Sequence, residues 1–144
     1  MPSRKTVQLS CSAIMDNGFH FFVEVKINGN QAKMIIDTGA SRSIINKSAL
    51  EDLGIEQEDL SVDMQDAKGI GKEVLESALV TLKTFDIEGV ALNDLEVGVI
   101  DIDHINEAYQ EMNIQPISGV LGNDFLKDKK AVIDFEKETL SFFS

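Results

Sequence analysis

The sequence predicts a mostly β fold with a few short helices, and three observations carry that prediction. Phe21, Val23, Val25 and Ile27 alternate with Phe22, Glu24 and Lys26, the period of a half-buried strand. Further runs rich in Val, Ile, Leu and Thr are separated by turn signals such as Asn28-Gly29-Asn30 and Glu88-Gly89. Helical spacing of apolar residues is confined to short stretches. The 144 residues suit one domain with a sizeable core. We place that domain at residues 19–144, behind an N-terminal segment of residues 1–18.

The elements follow in order. A strand from Phe19 ends at Asn28-Gly29-Asn30, whose Asn-Gly pair tolerates the positive backbone angles of a two-residue hairpin turn, so residues 32–36 return as its partner. Gly39 permits a turn conformation that a side chain would hinder, and Ser43-Ile44-Ile45 leaves that turn as a short strand. Ser48-Ala49-Leu50-Glu51 has capping-box spacing, and Gly54 stops the short helix it begins. The acidic residues Glu56 to Asp59 read as exposed. A strand from Val62 to Gln65 and another over residues 74–83 flank Gly69-Ile70-Gly71, which gives a second hairpin with a glycine-bearing tip. Glu88-Gly89 and Asn93-Asp94 mark turns before a strand from Leu95 to Ile100. Ile105, Ala108, Tyr109 and Met112 recur at helical spacing within residues 103–113, and Pro116 follows. Gly119-Val120-Leu121-Gly122 is a small apolar strand, Asn123 caps a brief helix through Lys127, and residues 131–135 and 139–143 form a terminal hairpin.

Charge excludes whole classes of partner. Thirteen basic against 25 acidic residues give a net charge of −12, whose field repels nucleic-acid phosphates and anionic membrane surfaces. The single cysteine, Cys11, allows no internal disulfide and no cysteine-based zinc site, which fits a reducing compartment. Polar residues interrupt the start of the chain before a signal-peptide core forms, and no later run is apolar enough to span a membrane. The expectation is a soluble, cytoplasmic protein. His20 and His104 stand apart from any cluster of ligating residues, so neither a metal nor another cofactor is expected. Asp94, Glu96, Asp101 and Asp103 lack the glycine-centred spacing of a calcium loop and read as a solvated acidic face. Asp124 lies in the first turn of a helix, where a carboxylate is favourable anyway, and Asp134 ends a strand.

One carboxylate stands out. Met34-Ile35-Ile36-Asp37-Thr38-Gly39-Ala40-Ser41 delivers an ionisable group from an apolar strand into a tight turn, which is costly unless neighbours hydrogen-bond it. On its own, Asp37 reads as a turn aspartate bonded to its own backbone rather than as a catalytic group. A second block changes the balance. Ile35 to Ser41 resembles the active-site loop of aspartic proteases, and Gly119-Val120-Leu121-Gly122-Asn123-Asp124-Phe125-Leu126 resembles the hydrophobic-hydrophobic-Gly strand and following helix of their retroviral-type, or retropepsin-like, branch. The resemblance spans roughly residues 20–143.

That resemblance implies a retropepsin-like acid-protease half-barrel with one lobe per chain, and an endopeptidase acting on peptide or protein substrates without a cofactor. Asp37 is the implied catalytic residue. Thr38 would brace the loop, Gly39 would let substrate backbone approach, and Ala40 and Ser41 would complete the loop, with the Ser41 hydroxyl near the carboxylate. Val120, Leu121 and Gly122 would pack behind it, and Gly69, Ile70 and Gly71 would form a flap over bound peptide. Hydrolysis by this route needs one carboxylate to take a proton from water and a second, protonated carboxyl to donate to the scissile carbonyl. Two such groups held close together share one proton, because both cannot ionise at low cost. With a single Asp-Thr-Gly, the chain would supply its second carboxyl through a homodimer.

Three features depart from the minimal viral pattern. Ser41-Arg42 stands where acidic residues are common, a longer insert runs from about Leu95 to Gln115 as in cellular or bacterial relatives, and Leu140-Ser141-Phe142-Phe143 suits either an intersubunit sheet or its own subunit's core. A non-catalytic peptide-binding or dimerisation module on the same fold is the alternative.

Overall fold

A computed structural model describes residues 3–15, 18–62 and 78–144. The expected hairpin tip, Gly69, Ile70 and Gly71, lies outside the described residues, as does the expected strand beyond Val62. Among the described residues the strands are β1 (Arg4–Gln8), β2 (Ser10–Ile14), β3 (Gly18–Ile27), β4 (Asn30–Ile36), β5 (Ile44–Asn46), β6 (Ser61–Val62), β7 (Ala78–Ile87), β8 (Val90–Ile100), β9 (Gly119–Leu121), β10 (Val132–Asp134) and β11 (Thr139–Phe143). Two helices, α1 (Asp103–Glu111) and α2 (Asn123–Asp128), flank β9 in sequence. The fold is mostly β.

The larger sheet runs β2-β3-β4-β9-β5-β8-β7-β6, and a further antiparallel pairing of β3 with β7 curls it into a barrel-like closure. Turn chemistry sets its hairpins. Asn28 and Gly29 adopt φ of 51° and 80°, so Ile27 pairs with Asn30; Glu88 and Gly89, at 48° and 85°, join Ile87 to Val90 in the same way. The interior takes the apolar face of these strands: Val25, Ile27, Leu82, Phe85 and Ile87 are buried with Leu121, Phe125, Leu140 and Phe142. A second cluster joins Tyr109 of α1 to Phe22, Ile102, Ile117 and Val120; Ile105 of the helix and Met112 just after it pack on this cluster while Ala108 is exposed.

The smaller sheet, β1-β11-β10, draws the N-terminal residues in: Val7 pairs with Leu140, and β11 lies between two strands of its own chain. Leu140 and Phe142 are fully buried, so the C-terminal strand completes its own subunit's core.

Three local expectations are corrected. Asn46, not Ser48, caps the segment before Gly54, which is a 3-10 turn at Lys47–Ala49; the Asn46 side chain accepts from Ser48 N, and Ser48 Oγ is engaged by Asp103. Asn93-Asp94 makes no turn, because pairing with β7 carries β8 straight through it, in unchanged register from Thr84–Asn93 to Leu82–Leu95, with Asp94 alone at φ 55°. Asn123 is the first residue of α2 rather than its cap, a place Gly122 takes.

Candidate active site

β9 threads between the two strands that flank the Asp37 loop. It runs parallel to β4, pairing Ile35 with Val120 and Ile36 with Leu121, and antiparallel to β5, pairing Ile44 with Val120. The loop from Asp37 to Ser43 therefore leaves one side of β9 and returns on the other. Asp37 N donates to Leu121 O at 3.0 Å, which fixes where the strand ends and the loop begins.

Close packing explains the glycine after Leu121. A Cβ on Gly122 would lie 2.7 Å from Arg42 C and 2.8 Å from the carbonyl oxygens of Ala40 and Arg42, all of them backbone of the loop. On Gly119 it would collide with Ile44 O. The Val120-Leu121-Gly122 segment thus presents two apolar side chains to the two core clusters and a bare backbone to the loop.

Hydrogen bonds complete the cradle. Ser43 is fully buried, and its Oγ accepts from Gly122 N at 2.9 Å and donates to Asp124 Oδ1 at 2.7 Å. The same carboxylate oxygen accepts from Ser43 N at 2.9 Å and from Phe125 N at 2.8 Å. Asn123 closes the other side, with its N–H on Ala40 O and its side-chain amide on Thr38 O, both at 2.8 Å. Asp124 is therefore a structural acceptor tying α2 to the loop.

Within the loop, Gly39 N donates to Asp37 Oδ1 at 2.8 Å and Ala40 N to Asp37 O at 3.2 Å. Gly39 is not among the positive-φ residues, which corrects the expectation of a special turn conformation; what it provides is room, since a Cβ there would stand 3.1 Å from Asp37 Oδ1. Asp37 is half-buried, and its Oδ2 has no partner among the described residues. No fully buried side-chain nitrogen or oxygen goes unpaired there, so Oδ2 reaches solvent. Thr38 and Ser41 are exposed, and Arg42 Nη2 meets Glu96 Oε1 at 3.4 Å, an exposed pair of small energetic weight.

Asp37 and Thr38 border a cavity of about 430 Å³ lined by Phe19, His20, Phe21, Ile35, Ile36, Ile105, Tyr109, Ile117, Val120, Ile133 and Phe135. A mostly apolar concavity of this size with few polar groups is the usual form of a ligand site. Burial, and then the charge of Asp37, push the Tyr109 hydroxyl above the ordinary tyrosine range. Among the described residues no group of three or more His, Cys, Asp or Glu is placed to hold a metal ion, and no helix is long and apolar enough to cross a membrane.

Sequence reading missed Ser43, the Asn123 amide and the polar pair His20 and Tyr109 at this cavity. The one available signal for Ser43 was a small polar residue opening an otherwise apolar strand.

Comparison with known proteins follows the same outline. The aspartyl protease family matches residues 23–125, well over half of the chain. The fold is similar to the crystal structure of a retropepsin-like aspartic protease from Rickettsia conorii, with TM-score 0.59 and 20% identity, covering 99% of this chain and 94% of that one. It is similar to the retroviral protease-like domain of Ddi1 from Leishmania major, with TM-score 0.58 and 23% identity over 84% and 86% of the two chains. EIAV protease complexed with the inhibitor HBY-793 gives TM-score 0.50 and 22% identity over 74% and 85%. No curated protein matches the sequence. These likenesses show a retropepsin-like fold.

Proposed function

The chain belongs to the aspartyl protease family, and we propose that it is an aspartic endopeptidase whose working unit is a homodimer with Asp37 of each subunit at the two-fold axis. The observation that carries this reading is the Asp37 carboxylate itself: Oδ1 is held by Gly39 N while Oδ2 is open beside an apolar cavity. A merely structural turn aspartate has no need of a cavity.

Chemistry supplies the second subunit. The chain has one Asp-Thr-Gly, and the reaction needs one ionised and one protonated carboxyl. An isologous dimer repeats the same patch on both sides, so two exposed Thr38 loops meet across the axis with their carboxyls adjacent. The ionised Asp37 takes a proton from water as the water oxygen bonds to the peptide carbonyl carbon; the protonated Asp37 gives its proton to the carbonyl oxygen. Collapse of the resulting diol breaks the C–N bond as a proton passes to the leaving amine. The pair, not either residue, has the titration behaviour. Gly69, Ile70 and Gly71 are proposed to cover the bound peptide and exclude water.

Cleavage of a diverse peptide library from acidic to neutral pH tests the mechanism. Asp37→Asn is expected to lower kcat/KM at least a hundredfold, the usual weight of a proton-transfer residue; equal cleavage by both proteins would sink it. Sedimentation tests the assembly, since a chain that stays monomeric at high concentration with peptide present cannot pair two Asp37 residues. A stable dimer that binds peptide without cutting would favour the non-catalytic module.

A further inference from the structure

The cavity beside Asp37 contains a polar pair that proton transfer by the carboxylate leaves unused. Most of the wall is apolar, formed by residues such as Ile36, Ile117, Ile133 and Phe135. Within it, His20 Nδ1 and Tyr109 Oη stand 2.7 Å apart. The two rings meet edge-on at 5.8 Å, and each also meets Phe22 edge-on, so β3 and α1 hold both side chains in place. Tyr109 is 2% exposed and has no water to turn to.

The direction of that hydrogen bond follows from the surroundings. The buried Tyr109 hydroxyl has no acceptor other than His20 Nδ1 among the described residues, so its O–H, which burial and the nearby Asp37 charge keep in place, donates to that nitrogen. Nδ1 then accepts, and the ring proton sits on Nε2. Nε2 has no partner among the described residues. Since no fully buried side-chain nitrogen is left unpaired there, and His20 lines the cavity, Nε2–H is an open donor beside the apolar wall.

We propose that His20 is a specificity-determining residue, its Nε2–H donating to a neutral acceptor at the tip of a substrate side chain, glutamine above all, with Tyr109 the positioning residue that fixes the imidazole. Apolar walls cover the methylenes of such a side chain, and the donor meets its carbonyl. A carboxylate tip is disfavoured by Asp37 in the same cavity and by the net charge of −12. The inference rests on the reading of Asp37 as the carboxylate that cleaves the peptide.

Paired peptides identical except for Gln or the near-isosteric Leu, varied at each residue flanking the scissile bond, provide the test. Wild type is expected to prefer Gln at one of those positions by about five- to tenfold in kcat/KM, the usual weight of one hydrogen bond. His20→Leu abolishes the preference, His20→Gln, which keeps a donor, retains it, and Tyr109→Phe weakens it mainly through KM. A ratio at or below one at both positions, or a preference that survives His20→Leu, overturns the proposal even when Asp37→Asn is inactive and the protease reading stands. If instead no peptide is cut, or Asp37→Asn cuts as well as wild type, the protease reading falls separately. Calorimetry with the same two peptides then decides the pocket: tighter Gln binding lost in His20→Leu upholds the role of His20, and equal affinity or no binding overturns it.

Discussion

Ser43→Ala removes one oxygen from the centre of the Asp37 cradle, and its cost can be worked from the partners left behind. Ser43 is fully buried and Gly122 is buried, so the N–H that donates to Oγ at 2.9 Å loses its acceptor among the described residues in a place water does not reach. An orphaned buried donor costs about 1–3 kcal/mol. The second bond, Oγ to Asp124 Oδ1 at 2.7 Å, ends on an exposed carboxylate that keeps Ser43 N and Phe125 N and gains water, so its loss is about 1 kcal/mol. The expected total is about 2–4 kcal/mol, which with a urea slope of about 2 kcal/mol per molar moves the unfolding midpoint down by about 1–2 M. Urea unfolding followed by circular dichroism measures it. Ser41→Ala, two residues away and exposed, is the control and stays within about 0.5 kcal/mol. A Ser43→Ala loss below about 1 kcal/mol, or one no larger than the control, would refute the view that this hydroxyl holds the loop to β9 and α2.

Other outcomes follow from the same contacts. Tyr109 is the chain's only tyrosine, so phenolate absorbance reports on it alone; its midpoint is expected above the ordinary value of about 10 and lower in Asp37→Asn, which lacks the repelling charge. Because that folded-state value is raised, the stability it contributes is present below pH of about 10 and is lost as pH climbs through the folded value, which alkaline unfolding would show. Gly122→Ala drives a methyl onto loop backbone that cannot swing aside, for about 1–3 kcal/mol in urea unfolding and a fall in kcat/KM larger than the unfolded fraction explains. Asp103 is held below the usual carboxylate range by hydrogen bonds from Ser48 and then Asn46, which tie α1 to the turn after β5. A lowered value means stability present above the unfolded value of about 3.9 and lost as pH falls toward the folded one, so the gap between wild type and Asp103→Asn in acid unfolding narrows below that pH.

What the sequence made legible was local or repeated. Val23, Val25 and Ile27 show their strand by alternation, and Asn28-Gly29 shows its turn because few other pairs accept two positive φ values in succession. The loop and its backing strand were found as two short motifs, whose pairing of Ile36 with Leu121 no periodicity could supply. The losses share one cause. Ser43 meets Asp124 across 81 residues and His20 meets Tyr109 across 89, and nothing in either neighbourhood announces the partner. At Asn93-Asp94 the turn chemistry was real, as the φ of 55° at Asp94 shows, yet hydrogen bonding to β7 on both sides overrode it. β1 was invisible because only Val7 of its five residues is buried, too little for a pattern.

Hydrogen bonds reach the Asp37 loop from the elements behind it: Leu121 O at its start, Asn123 at its middle, Ser43 and Asp124 at its end. The C-terminal strand β11 is flanked by β1 and β10 of its own chain. In the homodimer we propose, association adds a second carboxyl for the shared proton. A substitution behind the loop acts on the fold of the chain and through it on the site, whereas one at exposed Thr38 is expected to act on the encounter of the two proposed subunits. If association of the proposed homodimer is weak, activity is expected to depend on protein concentration and on peptide binding across both subunits.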